Sequence, residues 1–142
     1  MQENGCVFCD PNWFRSAELV IETDLCVYAS TRDPADPPDV LPGCGAIVPI
    51  AHRPSPFHLT PEEWASMHEL LVRVRSLLHE RLAPDGYTLG WNDQAGLHAH
   101  LHVIPRFDDE PLWDRGVRSA IKVPENVRPD PSRRGSGRAM HR

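Results

Sequence analysis

The sequence has no apolar run long enough to cross a bilayer, which would take about 20 predominantly apolar residues. Its start, Met1 to Cys9, has neither a basic opening nor an apolar segment, so it does not read as a secretory signal. The expected location is the cytoplasm, with no membrane partner. Basic blocks are scarce too. Lys and Arg total 15 against 20 Asp and Glu, for a net charge of −5, and the one Arg cluster is Arg133, Arg134 and Arg138. That excludes a surface that tracks nucleic acid, and an anionic ligand would be held by local groups instead of a broad positive field. The 142 residues carry no internal repeat and suffice for one core, not two.

Cysteine is sparse but patterned. In a reducing compartment, Cys6-x-x-Cys9 reads as half of a metal site rather than a disulfide. Cys26 and Cys44 fall in strand readings and are expected to be core filler. Proline is plentiful and uneven: Pro34, Pro37, Pro38 and Pro42 crowd one segment, and Pro124, Pro129 and Pro131 another. Both read as loops or extended arms.

Glu18 to Glu22 and Leu25 to Ser30 read as hairpin strands across Thr23-Asp24. Arg32 to Gly43 is a polar loop, and Cys44 to Ile50 a third strand. A helix follows. Thr60 is a suitable N-cap, Pro61 takes the first helical position, and Glu63 completes a Thr-x-x-Glu capping box, with Leu59 and Trp64 as a hydrophobic staple. Trp64, Met67, Leu71, Val74 and Leu78 make one apolar stripe, and the helix should stop near Leu82, before Pro84. Tyr87 to Asn92 reads as a fourth strand and Leu97 to Phe107 as a fifth. The expected fold is α+β: a five-stranded antiparallel sheet, one long helix on a face, and irregular N- and C-terminal arms. Residues 1–110 are the expected domain, 111–131 an arm, and 132–142 a disordered tail.

The chemistry lies in Leu97-His98-Ala99-His100-Leu101-His102-Val103-Ile104. On a strand, alternate residues share a face, so His98, His100 and His102 would stand in a row roughly 6.5–7 Å apart, with Leu97, Ala99, Leu101 and Val103 facing the core. Imidazole suits attack on phosphorus: it is partly neutral at pH 7 and forms a labile phosphoramidate. The same row fits three other readings: a solvated strand face, a metal site, or a tag-like tract, the last disfavoured by the regular apolar alternation. Asp108, Asp109 and Glu110 form an acidic run of the kind usually solvated. His58, His68, His79 and His141 read as surface or loop residues. Trp13, Trp64, Trp91 and Trp113 read as packing residues, with Trp113 a candidate to close over a ligand.

At His98 to Ile104 the chain resembles the histidine-triad (HIT) family, whose signature is His-φ-His-φ-His-φ-φ with φ apolar. The likeness extends to Pro105-Arg106, the Cys-x-x-Cys start, Pro49-x-x-His52, Leu59-Thr-Pro-Glu-Glu63 and Gly90-Trp91-Asn92, covering roughly residues 6 to 107. The resemblance implies a hydrolase or nucleotidyl transferase in which His100 attacks an α-phosphate and His102 contacts the phosphate or leaving group. It puts Asn92 and His98 at the phosphate, and a purine nucleoside against the early strands near Leu19 to Tyr28. It implies a homodimer joined edge to edge. Zinc-containing members pair a Cys-x-x-Cys with two histidines, and the matching positions are Cys6, Cys9, His52 and His98, a Cys₂His₂ set suited to structural zinc. One departure stands out. The family's Gly-Gln-Ser/Thr-Val stretch before the triad is replaced by the shorter Asp93-Gln94-Ala95-Gly96-Leu97, with Gln94 as the substitute phosphate contact. That shortening supports a second reading, a nucleotide-binding protein with weak turnover. A third, a metal-dependent hydrolase using the triad directly, is disfavoured because no Asp or Glu ligand lies near it.

Overall fold

A computed structural model describes residues 5–15, 17–31, 42–95, 97–117, 124–126 and 132. The Pro-rich loop beyond Thr31, most of the C-terminal arm and the tail beyond Ser132 lie outside the described residues. Five strands form one antiparallel sheet: β1 (Val20–Glu22), β2 (Cys26–Ser30), β3 (Gly45–Pro49), β4 (Gly86–Gly90) and β5 (Leu101–Arg106), in the order β1-β2-β3-β5-β4. One long helix, α1 (Pro61–Leu82), joins β3 to β4.

Local chemistry sets the limits of α1. The Thr60 hydroxyl accepts from the Glu63 N–H at 3.1 Å and the Glu63 carboxylate accepts from the Thr60 N–H at 3.0 Å, which closes the capping box. Glu63 also accepts from Arg53 Nε at 2.9 Å, so this buried carboxylate is fully used. At the far end Ala83 turns into the left-handed region, at φ 46°, one residue before Pro84.

The helix buries Met67, Leu70, Val74 and Leu78 against Cys26, Tyr28, Ile47, Leu101 and Val103. The expected stripe is rotated. Leu70 is fully buried while Leu71 is only partly so, and Trp64 is exposed, its ring meeting Trp91 edge-on at 5.8 Å. Trp64 therefore covers the loop after β4 instead of the core. Cys26 is core filler as expected, its thiol pushed up to about 11 by burial, whereas Cys44 is only half-buried.

Strand register sorts the two faces. The core residues of β2, β3 and β5 point at α1, and Val27, Ala29, Ala46, Val48 and His102 share the opposite face. β1 and β4 are shorter than expected, and β5 starts at Leu101 instead of Leu97. Before Leu101 the chain leaves the ladder: the Ala99 N–H bonds the Arg53 carbonyl at 2.6 Å, and Leu97 is exposed instead of in the core. The acidic run is not wholly solvated either. Glu110 has a side chain only 8% exposed and pairs with Arg106, whose other donors hold Thr88 and the Leu112 carbonyl. Among the described residues no helix is long and apolar enough to cross a membrane.

Candidate functional site

Two groups of side chains meet at the start of β5. The first comes from three distant segments. A 3₁₀ turn at Val7–Cys9 closes with the Cys9 N–H on the Cys6 carbonyl, which puts both thiols on one side. His52 follows β3, and His98 precedes β5. Their ligand atoms all lie within 4.8 Å of one another.

The pairwise geometry fits a shared centre. Cys6 Sγ is 3.4 Å and Cys9 Sγ 3.6 Å from His98 Nδ1, and Cys9 Sγ is 3.3 Å from His52 Nδ1. A tetrahedral ion with zinc-like bond lengths would set such S···N edges at about 3.5 Å. His98 is 2% exposed, and its Nε2–H donates to the Pro49 carbonyl at 2.8 Å, leaving the Nδ1 lone pair facing both sulfurs. A carbonyl holding the second ring nitrogen is the usual way a ligating imidazole is oriented. Burial lowers the His98 pKa, with the Pro49 hydrogen bond opposing and the charges of His52 and His100 adding. The neutral form, which a metal ligand needs, is favoured.

The second group is His100 and His102. The His100 Nδ1–H donates to the His98 carbonyl at 2.9 Å, so its Nε2 carries the free lone pair. The two rings are 4.8 Å apart and inclined by 70°. His102 lies between Ala46 of β3 and Gly90 of β4, so small neighbours leave room above it. Burial first, and then the charge of His100, lower its pKa.

The histidines therefore do not form one even row. His98 turns into the cysteine group, where both its nitrogens are engaged, so its expected second role as a phosphate contact has no free nitrogen to serve it. Asn92 lines a small recess beside His100 together with Pro54, Pro56 and Trp91, whereas Gln94 is exposed and outside that lining. On the other side a cavity of about 210 Å³ lies between the N-terminal arm (Phe8, Trp13 and Phe14) and the sheet (Val27 and Val48), with Ile50 just past β3. Trp113 is exposed. Sequence reasoning missed Phe8, whose ring lies 4.8 Å from that of His100, tilted by 37°. Its place between the two cysteines was the available signal. It also missed the Pro49 carbonyl, which no side-chain pattern reveals.

No protein-family model matches the chain. It is 31% identical over 107 residues to a bis(5'-adenosyl)-triphosphatase of Dictyostelium discoideum, an alignment covering 70% of this chain and 68% of the relative. It is 26% identical over 117 residues to the adenylylsulfatase HINT3 of Arabidopsis thaliana, covering 78% of this chain but only 57% of that protein. A solved structure of a zinc-bound histidine triad family protein from Mycobacterium smegmatis superposes with a TM-score of 0.59 at 26% identity, over 76% of this chain and 79% of the other. With its sheet order, the long helix α1 and its histidine signature, this chain belongs to the histidine-triad family.

Proposed function

We propose that the protein hydrolyses or transfers a nucleoside monophosphate, with His100 as the nucleophile on the α-phosphorus. The carrying observation is the hydrogen bond that fixes the Nδ1 proton of His100 on the His98 carbonyl and leaves Nε2 as the attacking lone pair. The relatives named for diadenosine triphosphate and adenylylsulfate chemistry support a purine nucleotide substrate.

Nε2 of His100 forms a bond to phosphorus as the bond to the leaving group breaks and the leaving group takes up a proton. Water then attacks phosphorus, releases the nucleoside monophosphate and a proton, and restores the imidazole. His102, two residues on and unhindered by Ala46 and Gly90, contacts the phosphate, and Asn92 holds it from the recess. The nucleoside lies against the early strands, toward the cavity walled by Phe8, Val27 and Val48.

Cys6, Cys9, His52 and His98 would hold zinc, in a closed four-ligand shell whose contribution is structural: it ties the N-terminal arm to the sheet. The proposed assembly is a cytoplasmic homodimer. Edge strand β4 and the outer side of α1 support it, since Leu71, Val72, Tyr87 and Leu89 line an apolar groove there of about 160 Å³. Incubation with adenosine phosphoramidate and diadenosine polyphosphates tests the reading. Wild-type turnover that disappears in His100→Ala supports it. Tight nucleotide binding without turnover would mark a binding protein, and full activity in His100→Ala would remove the mechanism.

A further inference from the structure

Phe8 lies inside the Cys6-Val7-Phe8-Cys9 turn, next in sequence to the Cys9 thiol and two positions from Cys6. Its ring leaves that group and lies against His100, with centroids 4.8 Å apart, and also touches the His98 ring at 5.8 Å. Trp13 braces it from behind, edge-on at 5.0 Å and 88°, and Phe14 backs Trp13 at 5.2 Å. His100 itself is held by one hydrogen bond to a carbonyl and by the neighbouring His102 ring. A single such bond does not stop an imidazole from turning about its Cβ–Cγ axis, and a turn would carry the Nδ1 proton off the carbonyl and Nε2 off its line of attack. A flat apolar wall on the ring face blocks that turn.

We propose that Phe8 is a positioning residue: carried on the metal-held arm, its ring fixes the His100 imidazole, so filling the Cys6, Cys9, His52 and His98 group sets how well His100 is poised. This rests on the reading of His100 as nucleophile and adds to it a route from the metal group to the reacting atom. Phe8 also walls the 210 Å³ cavity, so a ligand seated there presses on the same ring. Well-placed reacting groups contribute several orders of magnitude to rate, and small misplacements cost up to about 100-fold.

The test uses zinc-loaded wild type, Phe8→Leu and Phe8→Tyr, with metal content measured on each. Long-range ¹H–¹⁵N spectra of the imidazoles report the His100 tautomer without substrate, and NOEs report the Phe8 to His100 contact. In wild type, His100 should show a single Nδ1–H form with NOEs to Phe8. Phe8→Leu should average its tautomers in the substrate-free protein and lower kcat for adenosine phosphoramidate at saturating substrate about ten-fold, with a rise in KM reporting the trimmed cavity wall separately, and Phe8→Tyr should restore the tautomer and kcat. Chelation of wild type should move the His100 signals the same way, and chelation of Phe8→Leu should add little, since the two changes act through one contact. Absence of the NOE in the zinc-loaded wild type would overturn the proposal even if Phe8→Leu fails to fold. So would Phe8→Leu with wild-type His100 signals, or chelation moving those signals equally in both proteins. A wild type without turnover, but with ring signals that follow Phe8 and zinc, would defeat the reaction and keep the coupling.

Discussion

Tyr28→Phe isolates one buried group between the sheet and α1. The Tyr28 side chain is fully buried on the helix face of β2, and its hydroxyl has no hydrogen-bond partner among the described residues. A buried hydroxyl without a partner costs about 1–3 kcal/mol, and removing it leaves only a small void. The variant should gain about 1 kcal/mol at neutral pH, raising Tm by roughly 3–5 °C for a domain of this size. Burial first, and then the neighbouring Cys44 and Tyr87, push the phenol from 10.0 up to about 12. An unfolded phenol ionises near pH 10 while the folded one keeps its proton, so this stabilisation is complete below pH 10 and lost between pH 10 and about 12. At about 1.4 kcal/mol per unit, wild type should lose about 3 kcal/mol across that window that the phenylalanine variant keeps. Cys26, pushed up to about 11, adds a second slope common to both proteins. Urea unfolding at pH 7, 9, 10.5 and 11.5 measures both effects. A neutral-pH loss above about 1 kcal/mol would show that the hydroxyl has a partner, and equal alkaline slopes would refute the shifted ionisation.

Four further outcomes are expected. Gly45→Ala should destabilise by about 1–3 kcal/mol in chemical denaturation, because a Cβ there would overlap the Tyr28 hydroxyl and lie 2.5–2.6 Å from its ring carbons, and Tyr28→Leu should relieve the clash. His100→Asn should abolish turnover while nucleotide binding, followed by calorimetry, survives. The reaction should proceed with retention at phosphorus through a nucleotidyl-His100 adduct, as two in-line displacements require; a chiral phosphorothioate emerging inverted would show direct attack by water. Cys9→Ala should reduce zinc from one ion per chain to none by elemental analysis and lower Tm by several degrees, while a fully stable metal-free wild type would return Cys6 and Cys9 to ordinary thiols.

The parts of the fold that depend on short stretches of chain were legible in the sequence. Thr60, Pro61 and Glu63 fix the start of α1 within one turn, and Pro84 fixes its end, so both limits were readable. The metal group was legible through matching positions, because two thiols three apart can face one way only in a tight turn. The start of β5 was not. Apolar alternation runs unbroken back to Leu97, yet Ala99 bonds Arg53 and His98 is drawn to the thiols, and both partners come from remote segments. For the same reason Glu110 read as a solvated acid until Arg106 was seen to fold back over it. Phe8 as a wall for His100 depends on where the metal group pulls the arm, and no local pattern encodes that.

The alternation of β5 makes the sheet a partition. Leu101, Val103 and Pro105 are buried, and His102, Ile104 and Arg106 between them are turned the other way. One residue thus separates a core position from one on the side where the proposed reaction takes place. Substitutions on either side can accumulate independently, so the wall toward the substrate can be remodelled without disturbing the core under α1. The partition is also brittle in one respect. A single residue inserted or deleted within β5 would exchange the two sides for the part of the strand that shifts, turning positions such as His102 toward the core and its apolar neighbours away from it. This stretch should therefore tolerate changes of residue type at alternate positions while admitting no change of length.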